Sequence, residues 1–155
     1  MFSNRLVLKI LDYLDQNFTQ KVSIDEISDY FHYNKDYIMR LFKKEIHCTI
    51  VDYLNRKRVY QSIEALRNNS NSILTIALNY GFYSQEYYSE IFHKLLGVSP
   101  RTYRDYLLFH TNVTDEDISI ILNHTMELSL FFKSVTKYRN NTPPKESILQ
   151  YSIFH

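Results

Sequence analysis

Two glycines and three prolines are all the backbone punctuation available to 155 residues. All-β folds need turn residues at short, regular intervals, and this chain does not supply them. An all-α fold follows. Apolar residues make up 45% of the chain, enough for one compact domain with a smaller annex.

Helix starts are legible from local chemistry. Leu6, Ile10, Leu11 and Leu14 share one face of a helix over 5–17. Ser23-Ile24-Asp25-Glu26 reads as a capping box opening a short helix over 24–31, with Ile24, Ile27 and Phe31 turned inward. Asn34 caps a helix over 35–45 that carries Ile38, Leu41 and Phe42 on one side. Thr49 opens a longer helix over 50–68, on the order of 28 Å at 1.5 Å per residue. A polar connector, Asn68-Asn69-Ser70-Asn71, ends it. Ser72 starts a short helix over 73–80 with Ile73, Ile76 and Ala77 apolar, and Gly81 stops it. Ser84 caps a helix over 85–96 with Tyr88, Ile91, Phe92 and Leu95 inward. Gly97 ends that one, and Ser99-Pro100 starts another.

Two segments share one plan. A short helix leads through a tight turn into a longer helix, first over 24–45 and again over 73–96, about 50 residues later. Tyr37-Ile38-Met39-Arg40-Leu41-Phe42-Lys43-Lys44 runs parallel to Tyr87-Tyr88-Ser89-Glu90-Ile91-Phe92-His93-Lys94. This is the helix-turn-helix arrangement, in which the second helix enters a major groove. One such pair is common in all-α proteins; two in register point to DNA.

Charge agrees in distribution more than in sum. The formal net charge is only +1. Between Lys35 and Arg67, however, eight basic residues face Asp36, Glu45, Asp52 and Glu64, a local excess of about +4.

The string Ile76-Ala77, Tyr80-Gly81-Phe82, Ser84-Gln85-Glu86-Tyr87-Tyr88-Ser89, Phe92, Gly97-Val98-Ser99-Pro100 and Tyr103-Arg104 resembles the signature of the AraC/XylS family of bacterial transcription regulators. Tyr37 to Glu45 resembles that family's first recognition helix, and the likeness covers roughly residues 5–107. It implies an all-α fold of two helix-turn-helix subdomains on a long linker helix, with two recognition helices in successive major-groove segments of double-stranded DNA. Carried onto this chain, the first recognition helix offers Asn34, Lys35, Asp36, Met39, Arg40, Lys43 and Lys44. Arg40 is the best base reader, because its planar fork suits guanine O6 and N7. Lys43 and Lys44, one turn on, suit phosphate as well as they suit a plain solvated face. The second offers Ser84, Gln85, Glu86, Ser89, Glu90 and Lys94. Gln85 suits adenine and a carboxylate suits cytosine N4, while Ser84 reads better as a cap. Three features depart from the pattern. Glu90 and His93 stand where basic residues are usual, Asp36 and Glu86 add carboxylates to the DNA side, and His32 stands where a turn glycine is usual.

Residues 108–155 lie outside the resemblance and are read as an annex of one amphipathic helix over about 115–138. Thr114 and Asp117 mark its start. Ile118, Ile121, Leu122, Thr125, Leu128, Phe132 and Val135 form its stripe, which Ile120, Leu130 and Phe131 widen; Asn140 to Pro144 close it. Such a stripe needs a cover. Packing on the DNA-binding domain, a homodimer through this helix, and the stub of an effector domain all remain open.

Several classes are excluded or disfavoured. Cys48 is the only cysteine, so no intrachain disulfide or cysteine metal cluster forms. No run approaches the ~18 apolar residues of a membrane span, and Asp12 and Asp15 interrupt the opening residues where a signal peptide would be apolar. A cytoplasmic protein is expected. The six histidines make no i,i+4 ligand pair, and no phosphate loop or nucleophile elbow is present, so neither an enzyme nor a cofactor is expected. Besides DNA, RNA polymerase is a partner an activator would need. The competing reading is a non-enzymatic interaction protein that titrates another regulator through its C-terminal helix.

Overall fold

The computed structural model describes residues 2–108 and 112–141. His110, the Pro143-Pro144 stop and the segment 148–155 lie outside them. Among the described residues there are eight α-helices and no strand: α1 (Phe2–Asn17), α2 (Ile24–Phe31), α3 (Lys35–Ile46), α4 (Ile50–Leu66), α5 (Ile73–Asn79), α6 (Gln85–Leu96), α7 (Pro100–Leu108) and α8 (Asp115–Asn141). The all-α expectation holds.

Caps set most of these boundaries. The hydroxyl of Ser23 accepts from the Glu26 amide at 3.1 Å, and Asn34 Oδ1 accepts from the Asp36 amide at 2.8 Å. Ser72, Ser84 and Ser99 do the same for Thr75, Tyr87 and Thr102, each at 3.0–3.1 Å. At the head of α8 the box is reciprocal: Thr114 Oγ1 accepts from the Asp117 amide at 3.0 Å, and Asp117 Oδ2 accepts from the Thr114 amide at 3.2 Å. Each such bond satisfies an amide that has no partner inside its helix.

The described helices fall into two compact units. The first holds α1, α2, α3, α4 through Tyr53, and α8 from Phe132 onward. Leu6, Ile10, Leu11 and Leu14 of α1 are buried with Ile38, Leu41 and Phe42 of α3, as their spacing predicts; Ile24 and Phe31 are only half-buried. Tyr53 is the hinge of its polar network. Its ring meets Phe42 edge-on at 5.8 Å and Phe132 at 6.0 Å, and its hydroxyl donates to Asp15 Oδ1 at 2.7 Å. Burial, and then the Asp15 charge, push this phenol up, so it stays protonated and keeps donating. From α8, Arg139 binds the other Asp15 oxygen at 2.7 Å and the Tyr138 hydroxyl donates to Glu45 at 2.9 Å.

The second unit holds Phe18–Lys21, α4 from Leu54, α5, α6, α7, and α8 through Phe131. Phe82, Tyr88, Phe92 and Tyr103 form a chain of tilted and edge-on rings with centroids 5.0–5.6 Å apart. Two arginines, Arg104 buried and Arg58 half-buried, bind backbone carbonyls at or beyond helix ends. Arg104 donates to the carbonyls of Leu66, Asn68 and Asn71 at 3.0, 3.1 and 2.7 Å. Arg58 donates to Phe18 O at 2.7 Å and Gln20 O at 2.9 Å. Desolvation lowers both guanidinium pKa values, and hydrogen bonds to carbonyls offset the burial of charge.

Some details differ from expectation. The linker helix ends at Leu66, not residue 68, because Arg104 captures the Leu66 carbonyl and tighter i→i+3 bonds from Arg67 and Asn68 finish the turn. The short helix of the second unit ends at Asn79, with Tyr80 as its C-cap. The broad annex stripe is split. Ile121, Leu128 and Val135 are buried, whereas Leu122 and Leu130, expected inward, are 53% and 51% exposed. A helix touching its neighbours along one narrow line covers only residues seven apart.

Candidate nucleic-acid interface

The two longer helices of the repeat are built alike. Each has twelve residues, an extended capping residue (Asn34 or Ser84) and a left-handed C-cap (His47 or Gly97). Ile38, Leu41, Phe42 and Ile46 of α3 stand about 50 residues before Tyr88, Ile91, Phe92 and Leu96 of α6. The side away from each core is therefore the same set of positions: Asp36, Arg40 and Lys43 on α3, and Glu86, Glu90 and His93 on α6, all exposed.

On α3, Lys35, Met39 and Lys44 flank that face and are also exposed. Arg40 lies back along its own helix, its Nε donating to Asp36 O at 3.3 Å. Lys35 pairs with Asp25 at 3.5 Å, an exposed pair of small energetic weight. Lys43 and Lys44 fall in the last turn, where cations complement the helix dipole whatever else they do. Asn34 is exposed, but its side chain is occupied as a cap.

The second unit is arranged differently. Ser84, Gln85 and Ser89 are half-buried, while Glu86, Glu90 and Lys94 are exposed. Ser84 is committed to the Tyr87 amide, as its reading as a cap predicts. Gln85 borders a cleft lined also by Asn69, Ser72, Arg101 and Asp105. Within this unit α6 is pinned to α4 by two adjacent tyrosines: Asn55 Nδ2 donates to the Tyr87 hydroxyl at 3.0 Å, and the Tyr88 hydroxyl bonds Ser62 Oγ at 2.8 Å. Burial pushes the Tyr88 phenol up to about 12.

Sequence reasoning missed one repeated feature. Tyr33 stacks on Tyr37 with centroids 5.7 Å apart, and Tyr83 stacks on Tyr87 at 5.0 Å, so α3 and α6 each start beside a stacked ring pair, exposed at Tyr33, Tyr37 and Tyr83 and half-buried at Tyr87. The i,i+4 spacing of tyrosines about 50 residues apart was the available signal. The basic patch is also smaller than its sequence count. Arg58 is turned inward to two carbonyls, and Arg56 lies over the Phe131 ring at 4.5 Å. Arg67 pairs with Glu64 at 3.3 Å. What remains outward is concentrated on α3. Among the described residues no helix is long and apolar enough to cross a membrane.

Comparison with known proteins agrees with this architecture. The helix-turn-helix domain family model matches residues 27–106. The HTH-type transcriptional activator AarP of Providencia stuartii is 30% identical over 103 residues, covering 66% of this chain and 76% of that protein. The regulatory protein SoxS of Escherichia coli (strain K12) is 27% identical over 104 residues, covering 67% and 97%. The DNA-binding domain of AdpA, solved in complex with a target DNA, superimposes with a TM-score of 0.60 at 19% identity, over 64% of this chain and 90% of that domain. These relatives are regulators, not enzymes. A family match over more than half the chain, carried by two capped helix-turn-helix units, places this protein in the AraC/XylS family of DNA-binding transcription regulators.

Proposed function

We propose that the chain binds specific double-stranded DNA sequences by inserting α3 and α6 into successive major-groove segments. The observation that carries this reading is the equivalence of the two helices in length, capping and outward register. Arg40 reads a base, Asp36 and Met39 contribute beside it, and Lys35, Lys43 and Lys44 meet phosphate. On α6, Gln85, Glu86, Ser89 and Glu90 face the bases, and Lys94 the backbone. The helix N-termini capped by Asn34 and Ser84 lie toward phosphate. The exposed hydroxyls of Tyr33, Tyr37 and Tyr83 supply further donors to phosphate. The seventeen residues of α4 span about 25 Å, a length compatible with grooves one turn, about 34 Å, apart.

Selection from a random duplex pool tests this directly. Two conserved blocks about 10 base pairs apart are the expected result. A single block would remove α6 from the reading.

A second reading is favoured by Glu86 and Glu90, two exposed carboxylates on the face that would meet DNA. It makes the chain a partner that titrates another regulator through α8. Steep loss of duplex affinity as salt rises supports the DNA reading. Absence of duplex binding at low salt would leave the titrating role.

A further inference from the structure

The face of α8 opposite its buried line carries Leu122, Met126 and Leu130, which are 53%, 63% and 51% exposed. The stripe continues in both directions. With 3.6 residues per turn, Asp115, Ser119, Lys133 and Lys137 fall within about 40° of the same line, and all four are exposed. Their spacing is symmetric about Met126: Leu122 and Leu130 lie four residues away, Ser119 and Lys133 seven, Asp115 and Lys137 eleven. The charge is not symmetric. The acidic end opens with Asp115, Glu116 and Asp117, and the far end carries Lys133 and Lys137.

We infer that this face docks on the same face of a second copy of the chain, with the two α8 helices antiparallel and Met126 of each at the two-fold axis. A two-fold contact is self-complementary, and a stripe palindromic in its apolar residues but opposite in charge at its ends meets that requirement. Leu122 of one copy meets Leu130 of the other, and Asp115 meets Lys137 on both sides. The helix dipoles oppose as well. A parallel pair would set the acidic ends against each other and the lysines against each other, a like-charge arrangement that penalises the wrong orientation. Three apolar residues per copy put this contact at the small end of interfaces, so the pair is reversible in solution.

Disulfide trapping tests the orientation without DNA, so its outcome is independent of the proposed groove reading. Cys48 is buried, and Val98 is its counterpart in the second unit, so Cys48→Val supplies a cysteine-free background. In that background Met126→Cys should form a disulfide dimer under mild oxidation. Asp115→Cys and Lys137→Cys should each stay monomeric alone and give a mixed dimer when combined. By sedimentation, Asp115→Lys should weaken the native pair about 10-fold, and Asp115→Lys with Lys137→Asp should restore it. Self-linking of Asp115→Cys alone, or no dimer from Met126→Cys, overturns the inference. So does a Met126→Cys thiol that reacts only after residues 142–155 are removed, which would make the chain's own end the cover.

Discussion

Gly97 lies directly against Ile120: a Cβ built on this glycine would collide with the Ile120 γ2 methyl and approach the His124 ring. Its backbone is left-handed, at φ 79 and ψ −8. The C-terminus of α6 is thus shaped for the helix that packs on it within the second unit. Gly97→Ala incurs both the left-handed penalty and overpacking, together about 2–4 kcal/mol. Urea unfolding measures it. Adding Ile120→Ala should return about 1 kcal/mol as a coupling energy, and simple additivity would show that α8 does not press on Gly97.

His47 occupies the equivalent place after α3, also left-handed at φ 71, but its side chain is exposed. Any residue with a Cβ pays for that backbone where glycine would not, so His47→Gly should stabilise the protein by about 0.5–1 kcal/mol. His32, at φ 60 in the turn between α2 and α3, stands in the same position. A lower urea midpoint for His47→Gly would mean that the imidazole makes a contact worth more than the strain.

Arg104 binds three carbonyls that belong to the end of α4 and the connector after it. Arg104→Met keeps much of the volume and removes every donor, which should cost about 2–4 kcal/mol. Arg104→Lys places a single ammonium where a planar fork is needed, and should recover less than half of the loss. Hydrogen exchange should speed up first at residues 67–72. Uniform acceleration across the second unit would instead mark Arg104 as a general core residue.

Local chemistry explains what was legible in the chain. Ser23, Asn34, Ser84 and Ser99 act on amides two or three residues away, so the starts of α2, α3, α6 and α7 follow from neighbours in sequence alone. The outward register of α3 and α6 follows from helical period and the same short-range logic. Non-local partners explain what was not. Arg58 counted as a surface cation until Phe18 and Gln20, some 40 residues away, were seen to take it. The end of α4 depended on Arg104, and the division of the α8 stripe depended on which of its residues the rest of the fold covers. Which outward side chain meets a base depends on the duplex itself.

Arg40 and Glu90 hold equivalent register positions on α3 and α6, with opposite charge, and this pair gives the sharpest test of the interface. Arg40→Ala should cost about 1–3 kcal/mol on the selected site and relax preference at one base pair. Equal losses on selected and random duplexes would reduce Arg40 to a phosphate contact. Lys43→Ala should weaken all sequences about equally and lower the slope of log affinity against log salt by about one. Glu90→Arg runs the other way. If α6 lies in a groove, replacing its outward carboxylate with a cation should tighten binding to every duplex and steepen the salt slope by up to about one. An unchanged slope would place Glu90, and the face it shares with Glu86, away from the DNA, leaving α3 as the principal reader and α6 as a structural copy of it.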